Sequence, residues 1–98
     1  MSVAYSITNQ ETEQRFEIAA EGELAFLEYR FYEDDMALMH TWVPDSLSGR
    51  GIASALAQYA LEWAKTHHKK VRVYCPFVAA YLKRHLEYAS IISKPFEG

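Results

Sequence analysis

The stretch VPDSLSGRGIASALAQYALEWA, residues 43–64, joins a strand-like run to a helix-like run through a turn that holds two glycines. Pro44 keeps Val43 extended and ends the run before it. From Ile52 the apolar period changes from two to helical, with Ile52, Leu56, Tyr59, Ala60 and Trp63 on one stripe and Ser54, Gln58, Glu62 and Lys65 on another. The Tyr59 and Trp63 rings are read as core because they fall at helical spacing. Alanines at 53, 55, 57, 60 and 64 favour a helix and allow it to pack closely on a sheet. A strand, a glycine-spaced turn and a helix start gather unpaired backbone N–H groups at one spot, where the helix dipole favours an anion. Gly49 and Gly51 carry no Cβ to hold a ligand off those amides. Arg50 between them adds a charged fork that suits phosphate oxygens. The Walker G-x-x-x-x-G-K-[ST] pattern and the full G-x-G-x-x-G fingerprint are both missing, so neither familiar nucleotide signature applies.

Working upstream, Val3-Tyr5-Ile7 alternate as a half-buried strand does, and Phe16-Ile18-Ala20 form a second strand ending at Glu21-Gly22-Glu23. Leu24 to Tyr32 is a third, and Met36 to Val43 returns as a fourth after the polar turn Glu33-Asp34-Asp35. On that fourth strand, alternation places His40 on one face with Leu38 and Trp42. Four strands with short connections imply an antiparallel meander. Downstream, Lys69 to Tyr74 is a fifth strand, with Val71 and Val73 inward. Cys75 precedes Pro76, which suits the first turn of a second helix, whose buried face is Val78, Tyr81, Leu82 and His85. A short edge strand is expected at Ile91-Ile92. A helical crossover between the fourth and fifth strands makes them parallel neighbours. The order is β-β-β-β-α-β-α, an α+β domain with a mixed, mostly antiparallel sheet, and residues 1–98 read as a single domain.

Composition narrows the function classes. Of the 98 residues half are hydrophobic and 23% charged, which is ordinary for a soluble globular protein. No apolar run reaches the roughly 18 residues of a membrane helix, so no membrane partner is expected. The first residues lack the basic-then-apolar layout of a secretory signal. One cysteine excludes an internal disulfide and fits a reducing cytoplasm. His67-His68 are adjacent and make a poor chelate, so no metal is expected. The net charge of −3 is unevenly spread: residues 1–47 hold ten acids against Arg15 and Arg30, whereas residues 48–98 hold eight bases against three acids. The basic half suits an anionic ligand and the acidic half a cationic one, if these charges are more than solvated surface. Without an exposed aromatic platform beside the bases, a nucleic-acid partner is not expected.

A meander, a G-x-G turn after the fourth strand, a long helix and a parallel fifth strand resemble the GNAT superfamily of acetyl-CoA-dependent N-acetyltransferases. The similarity is to its small single-domain branch. It is carried by His40-Thr41-x-Val43-Pro44, by Gly49-x-Gly51-Ile52-Ala53 with Leu56, by Cys75-Pro76-Phe77-Val78 and Tyr81, and by His85-x-Glu87-Tyr88. The resemblance implies that main-chain N–H groups of Gly49, Arg50, Gly51, Ile52 and Ala53 bind the pyrophosphate of acetyl-CoA. It also implies that the strand edge at Thr41, Trp42 and Val43 bonds the pantetheine arm, with the N–H of Trp42 or Val43 polarising the thioester carbonyl. Ser46 stands where the wider superfamily often has Gln or Arg, and Leu86 where the small branch has proline.

The residues themselves leave the chemistry open. Cys75, just before a helix N-terminus, is a candidate nucleophile, a candidate acid for the leaving sulfur, a passive contact for the pantetheine arm, or a small buried hydrophobe. His40 is a candidate base for the amine proton or a structural group. Glu28 is a second candidate base. The Lys83-Arg84 pair is a candidate contact for the ribose phosphate or a solvated face. The expected function is acetyl transfer to a primary amine, either a small amine or a lysine of a protein or peptide, by a monomer or weak dimer. The alternative is a CoA-binding or acyl-CoA-sensing module with little catalysis.

Overall fold

A computed structural model describes residues 5–97. Six strands form one sheet in the order of the chain: β1 (Thr8–Gln10), β2 (Arg15–Ala20), β3 (Glu23–Tyr32), β4 (Asp35–Trp42), β5 (Val71–Val73) and β6 (Ile92–Lys94). The first four pair antiparallel, while β4 with β5 and β5 with β6 are parallel. Helix α1 (Ile52–Thr66) and helix α2 (Pro76–Arg84) make the two parallel crossovers possible. The α+β class and mixed sheet expected from the sequence are therefore observed.

Several boundaries differ from the expectation. Val3 lies outside the described residues, Tyr5–Ile7 are irregular, and the first strand is Thr8–Gln10. Its polar side chains give no alternation to read; it is set by pairing with Phe16 and its neighbours on β2. The last strand begins at Ile92 and runs parallel to β5, so the element order ends in a strand. Helix α2 stops at Arg84, which leaves His85 as its C-cap, with the ring stacked on Tyr81 at 3.9 Å.

Both helices pack on one face of the sheet, as right-handed crossovers in the same direction require. The core lies there. Phe16, Ile18, Ala25, Leu27, Tyr29, Met36, Leu38, Val71 and Val73 meet Ile52, Leu56, Ala57, Ala60, Leu61 and Ala64 of α1 and Val78 of α2. The buried stripe of α1 is centred on its alanines, so Tyr59 and Trp63 fall at its border. Tyr59 is exposed and Trp63 half-buried, and both rings close over Phe16, correcting the reading of both as core. Small residues at the centre let the helix axis approach the sheet, and the large rings then seal the side.

The other face is uncovered among the described residues. It carries Leu24, Phe26, Glu28, Arg30 and Tyr32 from β3, with Trp42 and His40 cross-strand from Phe26 and Glu28. At its lower edge, Asp35 accepts hydrogen bonds from the Ser93 hydroxyl at 2.7 Å and from Arg72 Nε at 2.9 Å, tying the β3–β4 turn to β5 and β6. The Arg72 guanidinium also lies over Tyr32, 4.2 Å from the ring centroid.

Candidate active site

Strand β4 changes partner along its length. Its parallel ladder with β5 runs from Met36 opposite Val71 to Leu38 opposite Val73, and the Tyr74 N–H adds a last bond to the Leu38 carbonyl at 3.0 Å. Beyond Leu38, β4 is paired only with β3, while the chain after Tyr74 turns away into α2. A gap therefore opens between Met39–Trp42 and the start of α2. Its β4 side is a strand edge without a strand partner.

A β-bulge sits where this gap begins. Glu28 pairs with His40 but Tyr29 pairs with Leu38, so Met39 is one residue extra on β4. An extra residue inverts the alternation beyond it. Thr41 thereby joins Leu27 on the helix-covered face, and His40 and Trp42 turn to the open face with Glu28 and Phe26. This corrects the expectation that His40 shares a face with Leu38; strict alternation holds only while the register does.

The bulge brings Thr41 to Cys75. Their Oγ1 and Sγ atoms lie 3.2 Å apart, and Cys75 is only 2% exposed. Cys75 is the N-cap of α2, its carbonyl accepting the Ala79 N–H at 3.1 Å, and Pro76 follows at the first helical position. The thiol thus stands at the positive end of the helix dipole. His40 is not brought to this pair. It is exposed on the far side of β4, its ring 6.4 Å from that of Phe26.

The glycine loop borders the same gap. After β4, the 3-10 turn Asp45–Leu47 is pinned by buried Leu47 and by the Leu47 N–H to the Pro44 carbonyl at 2.9 Å. Gly49 and Gly51 then take φ of 76° and 75°, which only glycine adopts without strain. A Cβ at either would meet nothing within 4 Å, so the space in front of the loop is open. The first bond of α1 runs from the Ala55 N–H to the Gly51 carbonyl, which leaves the N–H groups of Ile52, Ala53 and Ser54 without a helical acceptor. No side chain caps this end, and no acid lies in the first turn. The Ile52 side chain is buried in the core, so only its main chain faces the loop.

Arg50 is held from outside the loop. Its guanidinium pairs with Glu21 in the β2–β3 turn, and its carbonyl accepts the Tyr5 hydroxyl at 2.7 Å. Nothing local in the sequence marks Glu21 as its partner. The Thr41 hydroxyl was likewise legible only as a strand-edge residue, because its contact with Cys75 depends on the bulge. Val43 is half-buried against the core. Among the described residues, no group of three or more His, Cys, Asp or Glu side chains converges as a metal site. No helix there is long and apolar enough to cross a membrane.

Residues 15–91, which contain the bulge, the loop and Cys75, match the family model for the GCN5-related N-acetyl-transferase. The chain belongs to the GCN5-related N-acetyl-transferase family. That is a family of acyltransferases. The solution NMR structure of a GCN5-like protein from Staphylococcus aureus superposes on it with a TM-score of 0.72, at 26% identity, over 92% of this chain and 89% of that one. Protein NATD1 of chicken and of mouse is 40% identical to this chain over 48 residues, which are 49% of this chain and 44% of each relative. For human Protein NATD1 the same match covers 42% of the relative. The matched region thus spans less than half the length of these relatives.

Proposed function

We propose that the protein transfers the acetyl group of acetyl-CoA to a primary amine. The observation that carries this reading is the gap between β4 and β5, with the open N–H cradle of Gly49–Ala53 at one end and Thr41 beside Cys75 in its wall. The N–H groups of Gly49, Arg50, Gly51, Ile52 and Ala53 receive the pyrophosphate, and the Arg50 fork can leave Glu21 for a phosphate oxygen. The free edge at Thr41, Trp42 and Val43 bonds the pantetheine arm, and the N–H of Trp42 or Val43 stabilises the oxyanion.

The transfer is direct. An ammonium first gives one proton to His40, and so to water, from the open face. The free amine then forms the N–C bond at the carbonyl carbon as the C–S bond breaks. The sulfur leaves with the bonding pair and takes a proton from the Cys75 thiol. The second amine proton, lost as the N–C bond forms, restores that thiol through solvent. Holding the amine and thioester together supplies much of the rate. The fold supports a site reached from both faces of the sheet, and a reduced thiol fits a cytoplasmic setting, with the protein acting as monomer or weak dimer.

A second reading, a CoA-binding or sensing module with little catalysis, is favoured by one observation: no element walls off the open face where an acceptor would sit. Free thiol release from acetyl-CoA, followed with and without a panel of amines, separates the two. Amine-dependent release is expected. Binding of acetyl-CoA without such release would exclude the transferase.

A further inference from the structure

Two residues outside the glycine loop hold it, and they bear differently on a bound anion. Glu21 pairs with the Arg50 side chain, so it competes with a phosphate for that guanidinium. Tyr5 does not compete. Its hydroxyl donates to the Arg50 carbonyl at 2.7 Å, across 45 positions of sequence, and a carbonyl oxygen is not a group that an anion seeks. The Tyr5 ring is half-buried against the core, as is Ile7, so the hydroxyl stands on a packed support.

The Arg50 carbonyl and the Gly51 N–H belong to one peptide unit. In a planar trans peptide these two groups point in opposite directions, and the described residues contain no cis bond. A hydrogen bond that fixes the carbonyl toward Tyr5 therefore fixes the N–H away from it. That N–H donates to no main-chain acceptor among the described residues, and neither do those of Gly49 and Arg50. No other main-chain hydrogen bond holds this unit. The space around it is open, since a Cβ at Gly51 would meet nothing within 4 Å. Glycine also makes reversal easy. Turning the unit over exchanges the Gly51 φ of 75° for a negative value, and glycine accepts both signs. In the reversed state a carbonyl oxygen would stand where the N–H stood, and it would repel a phosphate.

We infer that Tyr5 is a positioning residue that locks the Arg50–Gly51 peptide with its N–H turned toward the ligand. The inference rests on the proposed acetyl-CoA site and adds to it a side chain from the segment ahead of β1. A loop that samples both orientations binds with an affinity reduced by the fraction in the competent one. The Tyr5 hydroxyl removes that loss without touching the ligand.

The test compares wild type with Tyr5→Phe, which keeps the ring and removes the hydroxyl. In the ligand-free variant, amide relaxation at Gly51 should report motion that wild type lacks, as a lowered heteronuclear NOE or as exchange broadening. Circular dichroism should show the fold retained. By calorimetry CoA should bind about two- to tenfold more weakly, as the loss of one neutral hydrogen bond predicts, while pantetheine, without the pyrophosphate, keeps its Kd. Unchanged Gly51 relaxation, unchanged CoA affinity, or equal weakening of CoA and pantetheine each overturns the inference. Wild type that prefers CoA to pantetheine, with Tyr5→Phe identical to it, refutes the lock alone. Wild type that binds CoA no more tightly than pantetheine refutes the pyrophosphate cradle and the acetyl-CoA reading, and Gly51 relaxation then still decides whether Tyr5 holds the peptide.

Discussion

Replacing Arg50 with alanine removes the only side-chain cation of the glycine loop, and the size of the effect follows from its two exclusive anionic partners. In the free protein the guanidinium is about half exposed and pairs with Glu21, an arrangement worth roughly 0–1 kcal/mol. Facing a phosphate, a charge-assisted hydrogen bond contributes about 1.5–3 kcal/mol. Binding must break the first pair to make the second, so the net loss in Arg50→Ala is about 0.5–3 kcal/mol, or roughly 2- to 160-fold in Kd. Glu21→Gln should do the opposite and tighten CoA by up to about fivefold, because it frees the fork beforehand. Calorimetry with CoA and with pantetheine, which lacks the pyrophosphate, isolates the contact. Only CoA should respond to either substitution. Equal weakening of both ligands in Arg50→Ala, or no weakening of CoA, would refute the phosphate role.

Further expectations follow from the same geometry. Gly49→Val forces a β-branched residue to φ near 76°, at a strain of about 1–3 kcal/mol, but meets no neighbour; calorimetry should show CoA binding lost while circular dichroism shows the fold retained. Leu56→Ala empties a fully buried site between α1 and the sheet and should cost about 2–5 kcal/mol in urea unfolding. The Ser93 hydroxyl, then Arg72, holds the Asp35 carboxyl below its ordinary value. Its stabilising contribution is therefore present above pH 4 and lost as pH falls through the folded value; Asp35→Asn should flatten acid unfolding followed by fluorescence. Cys75→Ala should slow amine-dependent turnover but leave no missing acetyl-enzyme, since wild type should show no acetyl mass adduct; full activity in Cys75→Ala would remove the thiol from the chemistry.

The helix period starting at Ile52, the alternation in β2 and β3 and the Gly-x-Gly hinge were legible because each is a local pattern. So was the parallel neighbour relation of β4 and β5, which follows from a helical crossover. The face of His40 was not. Leu38, His40 and Trp42 alternate without a break in the sequence, and the extra residue at Met39 shows only in the pairing with Tyr29 and Glu28. That single insertion decides which side chains meet Cys75. β1 was displaced for a related reason: Thr8-Asn9-Gln10 have no apolar face, and they become a strand through β2. The Arg50–Glu21 pair joins residues 29 positions apart on two turns, a distance that local reading does not span.

The most direct test of the β4–β5 gap as the acetyl-CoA site is an amide-resolved NMR titration of the protein with acetyl-CoA. The largest shifts are expected at Thr41–Val43, at Gly49–Ala53 and at Cys75, with small changes elsewhere. The competing location is a hollow of about 590 Å³ beside α2, lined by Ala79, Leu86 and Phe96 among others. Shifts centred on those residues, with Gly49–Ala53 unmoved at saturation, would contradict it.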